Sequence, residues 1–254
     1  MGRIAGKVAV ITGATGGIGA AAAHRFVAEG ARVLLVDLDA QALQRLSAEL
    51  GPDNSDYFAG DVADETAVGE FVERAIRRFG RIDVALLNAG IEGKFGKIED
   101  VPVSMFDRVM AVNVRGVWLG LAKLMPAMRK TGGGSIIITS SIAGLRGTPM
   151  LAAYATSKAA VIGLMKSAAL EGVADKIRVN AVNPAQTRTR MMQSIDSSLD
   201  AAGRTTDPTA RIPMARYAEP AEIVAMMLFL ASDESTFCTG ATYIVDGGSM
   251  IGTR

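Results

Sequence analysis

The sequence predicts an α/β protein, a single domain built on a doubly wound, seven-stranded parallel sheet with helices on both faces. Three observations carry that expectation. Short runs rich in Val and Ile alternate with longer helical patterns from end to end. Several runs, such as Val8-Ala9-Val10-Ile11 and Ile136-Ile137-Ile138, are continuously apolar, as strands covered on both faces are. The 254 residues are 49% apolar and the apolar ones are evenly spread, which suffices for one large core. Repeated strand–helix units of this kind wind into one sheet through right-handed crossovers.

The first strand is expected at 7–12 and the first helix at 17–30, joined by Thr12-Gly13-Ala14-Thr15-Gly16-Gly17-Ile18-Gly19. Glycines there allow a tight turn and a close approach of backbone to a pyrophosphate, and the helix N-terminus offers free N–H groups to the phosphates. The spacing is G-x-x-x-G-x-G, not the commoner dinucleotide fingerprint, so its place between strand and helix carries the reading. Contacts are expected from Gly13, Thr15, Gly17, Ile18 and Gly19. The second strand, 32–37, ends on Asp37, where a carboxylate can accept from both ribose hydroxyls of adenosine and repel a 2′-phosphate. Neither Gly16 nor the neighbouring Leu38 supplies a compensating cation, so NAD is expected rather than NADP.

Asp39 is read as the N-cap of a helix at 40–50. After the third strand, 56–60, Asp61 and Val62 have two readings: contacts to the adenine, or, for Asp61, the N-cap of a helix at 64–79. The fourth strand, 82–88, runs into Asn88-Ala89-Gly90. A helix over 103–129 carries Asn113, and a fifth strand at 135–140 ends in Ser140-Ser141. The helix at 151–174 holds Tyr154 and Lys158, which lie one above the other on a helical face. A phenol has a pKa of about 10, and a cation beside it favours the phenolate and readies it for proton exchange near neutral pH. A sixth strand is expected at 177–183, a helix at 219–232 and a seventh strand at 241–245. Between them, 187–214 is polar and poor in periodicity, which reads as a mobile loop covering a substrate or as two short helices.

Bulk properties narrow the function. The net charge is +1 with both signs intermixed, which gives no footprint for nucleic acid or an anionic membrane. The one cysteine, Cys238, has no disulfide partner and reads as a small buried apolar residue. The one histidine, His24, reads as a helix-surface residue, so neither a metal cluster nor a serine–histidine relay is expected. The apolar run near the N-terminus breaks at Gly13 and the longest greasy stretch, 223–231, is too short for a span, so a cytoplasmic protein is expected.

Taken together, the glycine turn at 12–19, Asn88-Ala89-Gly90, Asn113, Ser140-Ser141, Tyr154-x-x-x-Lys158, Asn183-Pro184 and Val245-Asp246-Gly247-Gly248 resemble the short-chain dehydrogenases/reductases across essentially the whole chain. The resemblance implies a Rossmann-type fold and a catalytic set of Asn113, Ser141, Tyr154 and Lys158. Ser141 would hydrogen-bond the substrate oxygen, with Ser140 its adjacent rival. Tyr154 would exchange the alcohol proton, Lys158 would hold the nicotinamide ribose and depress the phenol pKa, and Asn113 would anchor a water leading to Lys158. Asn88, Ala89 and Gly90 would pass the adenine-side ribose; Pro184, Thr187 and Thr189 would lie at the nicotinamide. Leu87, where many relatives have asparagine, and Ala185, where glycine is common, depart from the family pattern.

The resemblance implies an NAD-dependent alcohol dehydrogenase/ketone reductase, in a homotetramer with two-fold symmetry. Leu145, Met150, Leu151, Met191, Met192 and Ile195 are candidate pocket residues, any of which could equally be core, and suggest a small, mainly apolar, perhaps cyclic secondary alcohol or ketone. Arg146 is read as an exposed loop arginine. The rivals are a 3-oxoacyl-acyl-carrier-protein reductase, which Asp37 argues against, and a catalytically silent dinucleotide sensor, which the intact Ser141, Tyr154 and Lys158 argue against. Small residues on the Tyr154 helix (Ala152, Ala153, Ala159, Ala160, Gly163, Ala168, Ala169) would permit close helix contact.

Overall fold

A computed structural model describes residues 2–252, apart from 202, 204–208 and 211. Seven parallel strands form one sheet in the order β3-β2-β1-β4-β5-β6-β7: β1 Val8–Thr12, β2 Arg32–Asp37, β3 Ser55–Ala59, β4 Val84–Leu87, β5 Gly134–Thr139, β6 Ile177–Pro184 and β7 Thr242–Val245. Val10 pairs with Leu34 on one side and Ala85 on the other, and β1 is buried at every residue. The continuous apolar runs therefore mark strands covered on both faces. One layer packs α1 (Gly17–Ala28), α2 (Ala40–Leu50) and α8 (Pro220–Ala231) through Phe26, Leu43 and Met227. The opposite layer packs α3 (Glu65–Phe79), α5 (Gly116–Lys130) and α6 (Ala152–Gly172) through Phe71, Leu124 and Met165.

Strand ends differ from the expected ones where side chains replace the ladder. The stretch expected at 82–88 shortens to Val84–Leu87. The Asp83 carboxylate accepts from the Val8 N–H at 2.9 Å, and the Asn88 N–H turns to Thr12 Oγ1 at 3.0 Å. Asp39 caps α2, accepting from the Ala42 N–H at 2.9 Å. Asp64, not Asp61, caps α3 by accepting from Thr66 N–H, which removes the capping reading of Asp61. Pro220 and a reciprocal Glu219–Glu222 capping box start α8.

Two larger differences concern helices. The helix expected over 103–129 is α4 (Val103–Met110), a π-helical turn over Ala111–Arg115, and α5. In that turn the Gly116 N–H reaches back five residues to the Ala111 carbonyl. The extra residue swings Asn113 inward, where it is 1% exposed. Among its described residues the segment 187–214, read as loop or short helices, contains one helix of 12 residues, α7 (Arg190–Ala201). Its later part, at 202, 204–208 and 211, lies outside the described residues.

Small side chains set the spacing near the sheet centre. A Cβ at Gly120 would lie 2.9 Å from Leu87 Cδ2, so Leu87 fills the gap left by the glycine. Ala185 is not among the non-glycine residues with positive φ, so its methyl group costs no backbone strain. Cys238 is half-buried rather than buried, while His24 is exposed with Nε2 3.5 Å from Glu49. No helix of the described residues is long and apolar enough to cross a membrane.

Candidate active site

Chain order reverses between β1 and β4, and the carboxyl ends of the strands open there into a crevice, the place where open α/β sheets hold ligands. A cavity of about 1400 Å³ runs along those ends from the Gly13 turn to α7 and Tyr217.

At the nucleotide end, Gly13 has a φ of 64° and a Cβ there would sit 2.9 Å from Ala89 Cα, so only glycine serves. Asn88 closes the turn from below: Nδ2 donates to the Thr12 and Gly13 carbonyls, both at 3.3 Å, and Oδ1 accepts from Thr139 Oγ1 at 3.1 Å. Gly19 is not on the cavity wall. A Cβ there would collide with the Gly13 carbonyl, so Gly19 serves the close return of α1 beneath the turn. Gly13, Thr15, Gly17, Ile18, Asp37, Leu38, Asp61, Val62, Asn88, Ala89 and Gly90 do line the cavity.

Asp37 is held in place from both sides. Its Oδ2 accepts from Thr15 N–H at 2.9 Å and Thr15 Oγ1 at 2.6 Å, and its Oδ1 accepts from the Leu38 N–H at 2.7 Å. Asp61 accepts from the Ala63 N–H at 2.9 Å and from Arg108 Nη1 at 3.1 Å, and these donors hold it below the usual carboxylate range against the opposing pull of burial. Arg108, 47 positions away on α4, gave no sign in the sequence.

The chemical end gathers residues from four elements. Ser141, Tyr154, Lys158, Pro184, Thr187 and Thr189 all line the cavity, and Asn113 stands behind them. Asn113 accepts from the Ile91 N–H at 2.8 Å and donates to the Ile91 carbonyl and to Ser157 Oγ, each at 2.9 Å. Lys158 is 4% exposed; its Nζ donates to the Thr139 carbonyl at 2.8 Å and lies 5.6 Å from the centre of the Tyr154 ring. Ser140 and Ser141 both line the cavity, but Ser140 Oγ is committed to the Lys158 carbonyl at 2.9 Å.

The expected depression of the phenol pKa is not what the protein alone produces. Burial pushes Tyr154 up to about 12, the Ser141 hydroxyl opposes this, and the Glu92 carboxylate adds to it. The same burial lowers Lys158 to about 8. The Tyr154 side chain is half-buried, and its desolvation outweighs the Ser141 hydrogen bond.

The far wall is α7, whose Met191, Met192 and Ile195 line the cavity together with Leu151. Leu145 and Met150 do not; Leu145 packs on the core below α6, and Met150 lends its carbonyl to the Gly96 N–H. Arg146 is exposed and donates to the Ser249 carbonyl at 3.2 Å. The start of α7 rests on the glycine turn: Thr189 Cγ2 would be 2.8 Å from a Cβ on Gly17, and Arg190 Nη2 donates to the Thr15 carbonyl at 3.4 Å. Glu92, Arg190 and Asp196 are cavity residues that periodicity and spacing did not single out. No cluster of potential metal ligands occurs among the described residues.

Known proteins match along the whole chain. A family model described as enoyl-(acyl carrier protein) reductase matches residues 13–250. Levodione reductase of Leifsonia aquatica is 37% identical, over 97% of this chain and 95% of its own length. A solved NAD+-bound xylitol dehydrogenase superposes with a TM-score of 0.92 at 34% identity, covering 97% of this chain and 100% of its own. A 3-ketoacyl-(acyl-carrier-protein) reductase from Brucella melitensis complexed with NADH gives 0.90 at 35% identity, covering 98% and 100%.

Proposed function

The chain belongs to the short-chain dehydrogenase/reductase family of oxidoreductases, and on that premise we propose that it exchanges hydride between NAD(H) and a small, mainly apolar secondary alcohol or ketone. The single observation that carries the reading is the convergence of Ser141, Tyr154 and Lys158 on one cavity that also contains the glycine turn and Asp37. The residues present suit a dinucleotide: Gly13 leaves a cradle that a Cβ would fill, and Asp37 is fixed at the end of β2 with both oxygens oriented by donors. Gly13, Thr15, Gly17, Ile18, Asp37, Leu38, Asp61, Val62, Asn88, Ala89, Gly90, Pro184, Thr187 and Thr189 are the residues proposed to hold it.

When bound, the nicotinamide supplies the hydride acceptor or donor. The chain's own part is proton handling and alignment. Ser141 Oγ donates to the substrate oxygen and stabilises charge developing there. Tyr154 Oη takes the carbinol proton in oxidation and returns it in reduction. Lys158 Nζ, anchored on the Thr139 carbonyl, stabilises the phenolate, and Asn113 fixes the Ile91 backbone beside it.

The test is to follow nicotinamide absorbance with NADH or NADPH against ketones of two kinds, small cyclic ketones and 3-oxoacyl thioesters. Turnover of the cyclic ketones with NADH supports the reading. Preference for the thioester favours the 3-oxoacyl-carrier reductase, a second reading that the NADH-bound relative supports, because it weakens Asp37 as an argument against it. Tight NADH binding with no turnover would favour a dinucleotide sensor.

Assembly belongs to the same reading, as a homotetramer with two-fold symmetry. Supporting it, α6 splits its small residues: Ala168 and Ala169 face the core, whereas Ala159 and Gly163 are exposed together with the large apolar Leu170, and Trp118 on α5 is 60% exposed.

A further inference from the structure

We infer that Glu92 is a specificity-determining residue that recognises a hydroxyl group on the substrate next to the reacting carbon, so that the preferred substrates are vicinal diols and hydroxyketones on an apolar skeleton. This rests on the oxidoreductase reading and names the substrate class of that site.

The loop carrying Glu92 is fixed on both sides. Asn113 grips both backbone groups of Ile91, at 2.8 Å and 2.9 Å. On the other side Gly93 has a φ of 75°, and a Cβ there would meet Val109 Cγ2 at 2.6 Å. A residue between two such anchors has little freedom in where its side chain begins. Glu92 lines the same cavity as Ser141 and Tyr154 and is half-buried. It lies near enough to the phenol for its charge to oppose ionisation of Tyr154.

No hydrogen bond or ion pair joins the Glu92 side chain to any described residue, although Asp37 and Asp61 in the same cavity are both held by donors. The neighbouring cations are engaged elsewhere: Lys158 on Thr139, Arg108 on Asp61, Arg146 on Ser249 and Arg190 on Thr15. A half-buried carboxylate without a donor is costly, and a carboxylate beside the phenol makes the proposed base harder to form. Both costs are offset by a substrate that brings its own O–H donor, since a hydrogen bond to a charged acceptor is among the stronger ones. Leu151, Met191, Met192 and Ile195 line the same cavity and supply the surface for the substrate's apolar skeleton, while Glu92 supplies a free acceptor for its hydroxyl.

The test compares cyclohexanol with trans-1,2-cyclohexanediol, with NAD+, in the wild type, Glu92→Gln and Glu92→Leu. The diol-to-monool ratio of kcat/KM should fall by roughly tenfold or more in Glu92→Leu, and less in Glu92→Gln, because losing a designed polar contact penalises the hydroxylated substrate selectively. Alongside, the Tyr154 titration is read as the ultraviolet absorbance difference from Tyr154→Phe, and it should move to lower pH in both Glu92 variants. A ratio that stays constant across the three proteins overturns the inference and leaves the oxidoreductase reading intact. A wild type that oxidises neither alcohol overturns both. A changed ratio with an unmoved titration also overturns it, since Glu92 would then act at a distance from the phenol.

Discussion

Lys158 holds an ammonium in a position that is 4% exposed, and that burial has a measurable signature. Its pKa is about 8 in the folded protein against 10.5 in the open chain, so between those values the unfolded state binds more protons and stability rises with pH. From about pH 8 to about pH 9.5 the gain is about 1.5 kcal/mol. Urea unfolding at the two pH values should show it in the wild type and lose it in Lys158→Met. Tyr154 shifts the opposite way, up to about 12, and its contribution falls only above about pH 10, outside that window. Tyr154→Phe removes the proposed proton carrier and little else, so turnover should drop by about 10²- to 10⁴-fold. NADH affinity, read by fluorescence titration, should stay within a few-fold; near-full turnover would remove Tyr154 from the mechanism. Asp37→Ala should narrow the preference for NADH over NADPH by about tenfold, as the like-charge contact with a 2′-phosphate is lost. NADH itself should bind more weakly too, because Thr15 loses the acceptor for both of its donors.

At the scale of the element, the π-helical turn is what couples α4 and α5 to the site. A regular helix over 111–115 would carry Asn113 past the Ile91 backbone, whereas the extra residue brings it into three hydrogen bonds. Asn113→Ala leaves the Ile91 N–H and carbonyl without those partners and should cost about 2–4 kcal/mol of stability. Chemical denaturation measures the loss, and faster exchange at the Ile91 amide localises it. Periodicity could not show this turn, because one inserted residue shifts the apolar pattern by less than the scatter of a single helix. The α7 helix escaped for another reason. Met191, Met192 and Ile195 face a cavity instead of a core, so the weak apolar pattern left loop and short helices equally open. The cap of α2 was legible at Asp39, whereas the cap of α3 falls on Asp64, which the sequence reading did not single out because it weighed Asp61 instead.

At the scale of the molecule, the proposed dinucleotide touches β1, β2, β4 and β6 ends at once, so its binding should stabilise the whole sheet. NADH at about a hundredfold above its Kd should add about 2.7 kcal/mol. For a chain of this size that corresponds to a rise in Tm of about 5–10 °C by calorimetry, with AMP producing less. The order of strands and helices along the chain, the double cover of the sheet and the glycine turn were legible in the chain, since each depends on local periodicity or on spacing within one element, whereas Ser141 was singled out only through the family resemblance. Tertiary structure alone decided which groups meet across elements: Arg108 with Asp61, Asn113 with Ile91, Glu92 with the cavity, and Leu145 with the core instead of the pocket. It also decided the sign of the Tyr154 shift. Spacing on a helix fixes how near a lysine lies to a phenol, but the desolvation and the Glu92 charge that raise the phenol come from atoms contributed by the rest of the fold.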